Sequence, residues 1–309
     1  MRIERVRILN FDASLSQQHK ILERFHPEII DLRSFSSLAR LWLNKRTEKA
    51  LKKSLPSNPQ NSINFLGSGD FHHISSLLIE QLRDPITVIV FDSHPDWDTL
   101  PPKTGCGSWV SRILKYPGVK NVILLGISSD DISTFNIQSA NLKSLSQNRL
   151  EIYPYAHQET KVFFRGVPQN VSIEVKRGIF SKEISWNELK GKDLAKFLPG
   201  VLQRLNTKNV YISIDKDCLK PEYSLTNWEK GKMTLDELLL MLRIIKENCH
   251  IVAADIVGDY SKINIQGRIK AICSRLDHPA DYSALAHPEA VINSVNAETN
   301  IKILDLLAS

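Results

Sequence analysis

The chain has 309 residues, which is enough for one large domain with a substantial buried core. Its 42% hydrophobic and 24% charged residues are typical of a folded protein in water, and no apolar run approaches the length of a membrane span. The net charge of +6 is spread along the chain, without the dense Lys/Arg stripe of a nucleic-acid-binding protein. We therefore expect neither a nucleic-acid nor a membrane partner.

The cysteines indicate a reducing compartment. Cys106, Cys218, Cys249 and Cys273 are far apart and form no C-x-x-C pair, so we expect reduced thiols. Residues 1–12 begin with charges and lack the apolar segment of a secretory signal peptide. Both features predict a cytoplasmic protein.

The first part of the chain alternates predicted strands with predicted helices. Strands are predicted at residues 6–11, 29–30, 63–66, 88–91 and 119–126. Helices are predicted at residues 17–25, 38–55, from Asp70 to 82, and 108–114. This order is typical of a parallel sheet that is covered by helices on both faces.

Residues 151–186 interrupt that alternation. Short β-type runs with glycine and proline between them predict a β-rich insert or a ruffled edge. The alternation returns with a helix at 187–205, a strand at 209–214, a helix at 234–247, a strand at 250–257 and a terminal helix at 298–307. Because no linker, repeat or low-complexity tract divides the chain, we predict one α/β domain over residues 1–309.

Potential metal ligands follow the predicted strand at 88–91. Asp92, His94 and Asp96 have i, i+2, i+4 spacing, which directs side chains to one side of an extended backbone. Carboxylates mixed with one imidazole suit Mn, Fe or Zn better than Ca or Mg. The alternative is a polar loop whose aspartates cap the next helix.

Two further predicted strands end in residues of the same type. Asp215 and Asp217 follow the strand at 209–214, and His72 or His73 follows the strand at 63–66. The carboxyl ends of parallel strands share one edge of a sheet, so these side chains are expected to meet. Two histidines and four carboxylates carry too much charge to be buried without cations. The set therefore predicts a two-metal site.

The chain resembles the ureohydrolase family of arginase, agmatinase and their relatives. The resemblance rests on Gly-Asp-Phe-His at 69–72, Asp-x-His-x-Asp at 92–96 and Ser-x-Asp-x-Asp at 213–217, each after a predicted strand. It implies a three-layer α/β/α fold and two Mn²⁺ ions per chain, held by His72, Asp92, His94, Asp96, Asp215 and Asp217. It also implies that Asp96 orients the water that the ions activate.

The chain departs from the family pattern at the residues that contact the substrate. Cys106 replaces a proton-transferring histidine, and Gly258 replaces a glutamate that holds the guanidinium group. We expect Asp259 or Glu229 to replace that glutamate, and the resemblance places Asp131 near the substrate amino group. An ordinary buried small residue is the alternative for Cys106, and a helix cap for Asp131.

In family members that hydrolyse free arginine, a loop with asparagine and histidine holds the amino-acid head group, whereas the corresponding residues 103–108 contain neither. This departure favours arginine within a peptide as substrate. The resemblance is greatest to bacterial peptide arginases, which convert peptidyl arginine to ornithine and urea. His278 or His287 is predicted to protonate the leaving amine; each could instead be structural or on the surface. The alternatives are a hydrolase of small guanidino compounds (agmatinase or guanidinobutyrase type), a deacetylase-like enzyme and an inactive metal-binding relative. The sequence makes no prediction of oligomeric state.

Overall fold

The computed structural model describes residues 4–163, 166–167, 169–178, 181–228, 230–278 and 287–308, without the side chains of residues 146 and 277. Within these residues, eight strands form one parallel sheet in the order β2-β1-β3-β11-β10-β4-β5-β6. The strands are β1 (Arg5–Asn10), β2 (Glu28–Asp31), β3 (Ser62–Gly67), β4 (Ile86–Phe91), β5 (Val119–Leu125), β6 (Leu150–Tyr153), β10 (Asn209–Asp215) and β11 (His250–Val257).

Both faces of this sheet are covered. In β4, Ile89 and Phe91 join one apolar cluster, whereas Val88 and Val90 join another. Successive side chains of a strand point to opposite faces, so the two clusters lie on opposite sides of the sheet. A central strand buried on both faces is a continuous apolar run, as the sequence of β4 is. The predicted α/β fold with a parallel central sheet is confirmed.

The helices are mostly short, and together they cover the sheet. They are α1 (His19–Phe25), α2 (Ser36–Ala39), α3 (Lys45–Lys52), α4 (Ser75–Ile79), α5 (Trp109–Ile113), α6 (Leu142–Ser146), α7 (Leu194–Gln203), α8 (Leu235–Asn248), α9 (Arg268–Asp277) and α10 (Glu289–Ala308). Helices α7, α8 and α10 pack on one face of the sheet, and α5 and α6 on the other. None of these helices is both long and apolar enough to cross a membrane.

The predicted helix at 38–55 is two helices. Between α2 and α3, Arg40 is fully buried and forms an ion pair with Asp70, and Leu41 has a φ of 66°, outside the helical region. The chain then re-enters a helix at α3, where the Asn44 side chain caps the Thr47 N–H at 2.9 Å. Helix α9 was not predicted, and α10 begins nine residues before its predicted start.

The region predicted as a β-rich insert divides between two sheets. Its first residues form β6, the edge strand of the central sheet. The rest contains a small antiparallel sheet of β7 (Thr160–Phe163), β8 (Ile173–Arg177) and β9 (Ser181–Trp186), in the order β7-β9-β8. The small sheet packs on the central domain through Ile184 and Trp186.

Candidate active site

The three motifs meet at the carboxyl edge of the central sheet. The first follows β3 in a 3-10 helix at Gly69–Ile74, the second is the loop after β4, and the third is the end of β10 with a 3-10 helix at Lys216–Cys218. Strands β4 and β10 are neighbours, and β11 separates β10 from β3. Parallel pairing therefore brings together residues that are far apart in sequence.

His72 is at the centre of the first group of ligand atoms. Its Nδ1 atom lies 3.1 Å from Asp92 Oδ2, 3.4 Å from Asp96 Oδ2 and 3.6 Å from Asp215 Oδ2. His94 begins a second group, since its Nδ1 atom lies 2.9 Å from Asp217 Oδ2 and 3.6 Å from Asp92 Oδ1. The two oxygens of Asp92 thus face different histidines, and its carboxylate joins the groups.

The loop after β4 achieves this arrangement without an extended backbone. Asp92 Oδ1 accepts the His94 N–H at 2.6 Å, which turns the chain directly after the strand. Asp96 has a φ of 46°, in the left-handed region that aspartate adopts more readily than most residues. The expected convergence of the three side chains is therefore produced by a tight loop.

A relay of hydrogen bonds orients His72. Its Nε2 atom lies 2.8 Å from Ser213 Oγ, and Ser213 Oγ donates to Asp255 Oδ1 at 2.6 Å. Asp255 also accepts from the Tyr211 hydroxyl at 2.5 Å. Because the serine hydroxyl has one hydrogen and gives it to Asp255, we infer that His72 carries its proton on Nε2. The lone pair of Nδ1 then faces the carboxylates, as a metal ligand requires.

His73 lies apart from this cluster. It is fully buried, and neither ring nitrogen has a hydrogen-bond partner among the described residues. Burial, with the positive charge of Lys270, lowers the pKa of His73 to about 3. His73 is thus a neutral core residue, and the structure brings His72 to the carboxylates.

The cluster fits divalent cations. Burial and the charges of Asp217 and Asp92 raise the pKa of Asp215 well above its ordinary value, and burial with Asp92 raises the pKa of Asp96 to about 7. These carboxylates therefore ionise readily only beside a cation. His72 Nδ1 and Asp92 Oδ2 are also buried acceptors without a hydrogen-bond partner in the described structure. Carboxylate oxygens with imidazole nitrogens suit Mn, Fe or Zn.

A cavity of about 200 Å³ opens onto the cluster. Besides the six ligand-type residues, its lining consists of Gly69, Pro95, Trp97, Asp98, Cys106, Gly107, Asp131 and Trp228. Asp131 and Cys106 are thus at the cavity. Sequence reasoning missed Asp98, although it continues the alternation of Asp92, His94 and Asp96 by one more step.

Other expected residues lie away from the cavity. Asp259 is fully buried and pairs with Lys216 at 2.8 Å, while Gln18 and Asn300 donate to it at 2.7 and 3.1 Å. Asp259 is therefore corrected from a substrate ligand to the counter-ion of a buried lysine. Glu229 lies outside the described residues.

The two candidate proton donors are also corrected. His278 is buried, and its Nε2 atom lies 2.7 Å from Asp70 Oδ1, so its ring is held behind the cavity wall. His287 is exposed and does not line the cavity. Neither position could be foreseen, because each depends on how the C-terminal segments pack.

The packing around Gly258 explains why no glutamate stands there. Gly258 has a φ of +87°, and a Cβ atom at this position would lie 2.5 Å from Asp215 Oδ1. A side chain would displace a carboxylate of the cluster, so the departure at Gly258 is imposed by close packing.

Comparison with known proteins agrees with this architecture. Residues 164–265, which include the third motif, match the Arginase family. A protein of Thermotoga maritima that is described as uncharacterized is 25% identical over 254 residues, covering 82% of this chain and 79% of the relative. The fold is similar to that of arginase from Bacillus subtilis (TM-score 0.60, 13% identity, 100% and 99% of the two chains). It is also similar to that of Entamoeba histolytica arginase in complex with L-ornithine (TM-score 0.54, 13% identity, 99% of each chain). The chain thus has an arginase-like fold and contains a segment that matches the Arginase family.

Proposed function

We propose that the protein is a metal-dependent hydrolase that removes urea from a guanidino group. The observation that carries the proposal is the joined pair of His/Asp groups at the base of a cavity that is otherwise rich in carboxylates. Such a cavity attracts a cationic substrate and can hold the ions needed to activate water. The match of residues 164–265 to the Arginase family supports the same reaction class.

The residues that would hold two Mn²⁺ ions are His72, Asp92, His94, Asp96, Asp215 and Asp217. When bound, such ions would lower the pKa of a water molecule towards neutrality and so supply the nucleophile for a guanidinium carbon. The protein's own contribution is to hold the ligands in place. Asp96 Oδ2 accepts the indole N–H of Trp109 at 2.7 Å, and Ser213 fixes the ring of His72.

We propose arginine within a peptide as the substrate. No lysine or arginine is among the residues that line the described cavity, so nothing there would pair with a free α-carboxylate. Asp98 and Asp131 would instead repel one. A peptidyl arginine has no free α-carboxylate, and its backbone N–H groups can donate to these two aspartates. The product is peptidyl ornithine.

A small guanidino compound without a carboxylate, such as agmatine, is the second candidate. Such a compound has no carboxylate for Asp98 and Asp131 to repel, and the cavity volume of about 200 Å³ is compatible with a small ligand. Its primary amine would pair with Asp98 or Asp131.

Urea release separates these candidates. The protein, purified with Mn²⁺, is incubated with an arginine-containing peptide, with free arginine and with agmatine, and an acetyl-lysine peptide tests for deacetylation. We expect urea from the peptide only, and none from a His94→Ala control preparation. Urea from agmatine alone would replace the peptide proposal with the second candidate. No product from any substrate, although metal is bound, would favour a binding protein.

A further inference from the structure

Trp228 forms a fixed aromatic wall of the cavity. Its indole Nε1–H donates to Asp70 Oδ1 at 3.1 Å. Asp70 is fully buried and is itself held by an ion pair with Arg40 and by His278 Nε2 at 2.7 Å. Asp70, the second residue of the 69–72 motif, therefore anchors a tryptophan from the loop after the third motif.

The indole also makes edge-to-face contacts with two imidazoles. The His94 ring lies 5.3 Å from the Trp228 ring at an interplanar angle of 66°, and the His278 ring lies at 4.6 Å and 63°. A Cβ atom at Gly69 would come within 3.0 Å of Trp228 Cδ1, so the absence of a side chain at Gly69 lets the indole reach the cavity floor. Trp228 thus has one position beside the ligand cluster.

The cavity has few other groups that could recognise a cation there. Four of its carboxylates belong to the proposed ligand set, and two divalent ions would neutralise them. Asp259 is committed to Lys216, and Trp97 is only 1% exposed.

Asp98 and Asp131 also line the cavity, but the proposed function assigns them to the backbone N–H groups of a peptide. Trp228 is half-buried, lines the cavity and contacts the His94 ring, so its indole remains for the guanidinium group. A guanidinium group is planar and weakly hydrated, and it stacks on aromatic faces.

We propose that Trp228 is the substrate-binding residue that recognises the cationic guanidinium group, through its indole face. This inference rests on the proposed function, because it names the surface that holds the group to be hydrolysed. Asp70 is a positioning residue, which acts by holding the indole in place.

The test compares a cation with a neutral ligand of the same shape. Nα-acetyl-arginine amide carries a guanidinium group, and Nα-acetyl-citrulline amide carries an uncharged ureido group instead. The preference for the cation is read from the KM of the first against the inhibition constant of the second. If no urea forms, calorimetric titration of the Mn²⁺-loaded protein gives the same preference as a ratio of Kd values. The inference can therefore be tested whether or not the proposed reaction occurs.

We expect Trp228→Leu to reduce the preference for the cation by about 3- to 30-fold, because the attraction of a cation to an indole face is lost. Trp228→Phe keeps an aromatic face of weaker attraction and should reduce it by about 2- to 5-fold. Trp186→Phe, in the small sheet, is the matched control and should leave it unchanged. Elemental analysis checks that each variant retains metal.

An unchanged preference in Trp228→Leu at full metal content would overturn the inference, as would an equal weakening of both ligands. If Trp228→Leu does not fold, the Trp228→Phe variant decides. An unaltered cation preference in that variant would then overturn the inference.

Discussion

The carboxyl edge of the central sheet buries several carboxylates, whereas the small antiparallel sheet leaves its charged side chains in contact with water. In β7, buried and exposed residues alternate, so Lys161 and Phe163 face outwards while Val162 packs inwards. At the carboxyl edge, Asp92 and Asp217 are 1% and 2% exposed. Burial of a carboxylate is costly unless a cation or several donors compensate it. The buried carboxylates of the edge therefore need compensating cations or donors, whereas the charged side chains of β7, β8 and β9 remain in contact with water.

The largest effect is expected for His94→Ala, which removes a proposed metal ligand at the carboxyl edge. Removing the imidazole opposite Asp217 should lower metal affinity more than about 100-fold and abolish turnover, because outer-sphere partners of a metal ligand alone are worth 10- to 100-fold. Elemental analysis and urea release measure the two effects. His157→Ala, in the loop before β7, should retain both. Full metal content in His94→Ala would refute the proposed ligand set.

Gly258→Ala tests how tightly the edge is packed. Gly258 and Gly191 both have positive φ, at +87° and +77°, so alanine strains the backbone at each by about 1–2 kcal/mol. Only at Gly258 does the new Cβ meet a carboxylate, that of Asp215. We expect Gly258→Ala to lose stability beyond this strain and to bind metal weakly. Gly191→Ala should lose only the strain energy, as measured by chemical denaturation, and should retain its metal.

The two regions also differ in their ion pairs. The Lys216–Asp259 pair is 2.8 Å long and fully buried, so Lys216→Met should cost about 3–5 kcal/mol because the buried Asp259 loses its counter-ion. The Lys176–Glu159 pair of the small sheet is 3.1 Å long, with side chains 65% and 49% exposed. Glu159→Gln should leave the unfolding midpoint unchanged, since water already screens this pair. Equal unfolding midpoints for Lys216→Met and Glu159→Gln would contradict the expected difference between the buried and the exposed ion pair.

Ser213→Ala should have a smaller effect on the metal site. It removes the acceptor that fixes His72 Nε2, and we expect a 10- to 100-fold fall in metal affinity by chelator competition. Ser185→Ala, whose hydroxyl donates to exposed Glu159 at 2.8 Å, is the control and should not change metal affinity. Unchanged affinity in Ser213→Ala would mean that the relay does not orient His72.

Sequence patterns predicted β3, β4, β5, β10 and β11 well because each is a short, buried and largely apolar run. The edge strand β6 was instead expected as part of the insert, because its pairing with β5 is a tertiary contact. The order of strands and the i, i+2 spacing also indicated that six side chains would meet, since parallel strands end at a common edge. The break at Arg40 was missed because helical periodicity carries no information about the ion pair with Asp70. Helix α9 was not predicted, although Ile269, Ile272 and Leu276 have the i, i+3, i+7 spacing of a helix. In the structure these three side chains are exposed.

Local patterns in the chain therefore predicted the ligand-type residues, their order along the chain and the class of fold, and the class of fold is confirmed. The choice of His72 over His73, the burial of Asp259 against Lys216 and the position of Trp228 depended on tertiary packing. Each of these depends on contacts between side chains from segments that are distant in sequence. His73 differs from His72 because its ring nitrogens have no hydrogen-bond partner among the described residues. Such contacts follow from how helices and loops pack around the sheet, which no local spacing encodes.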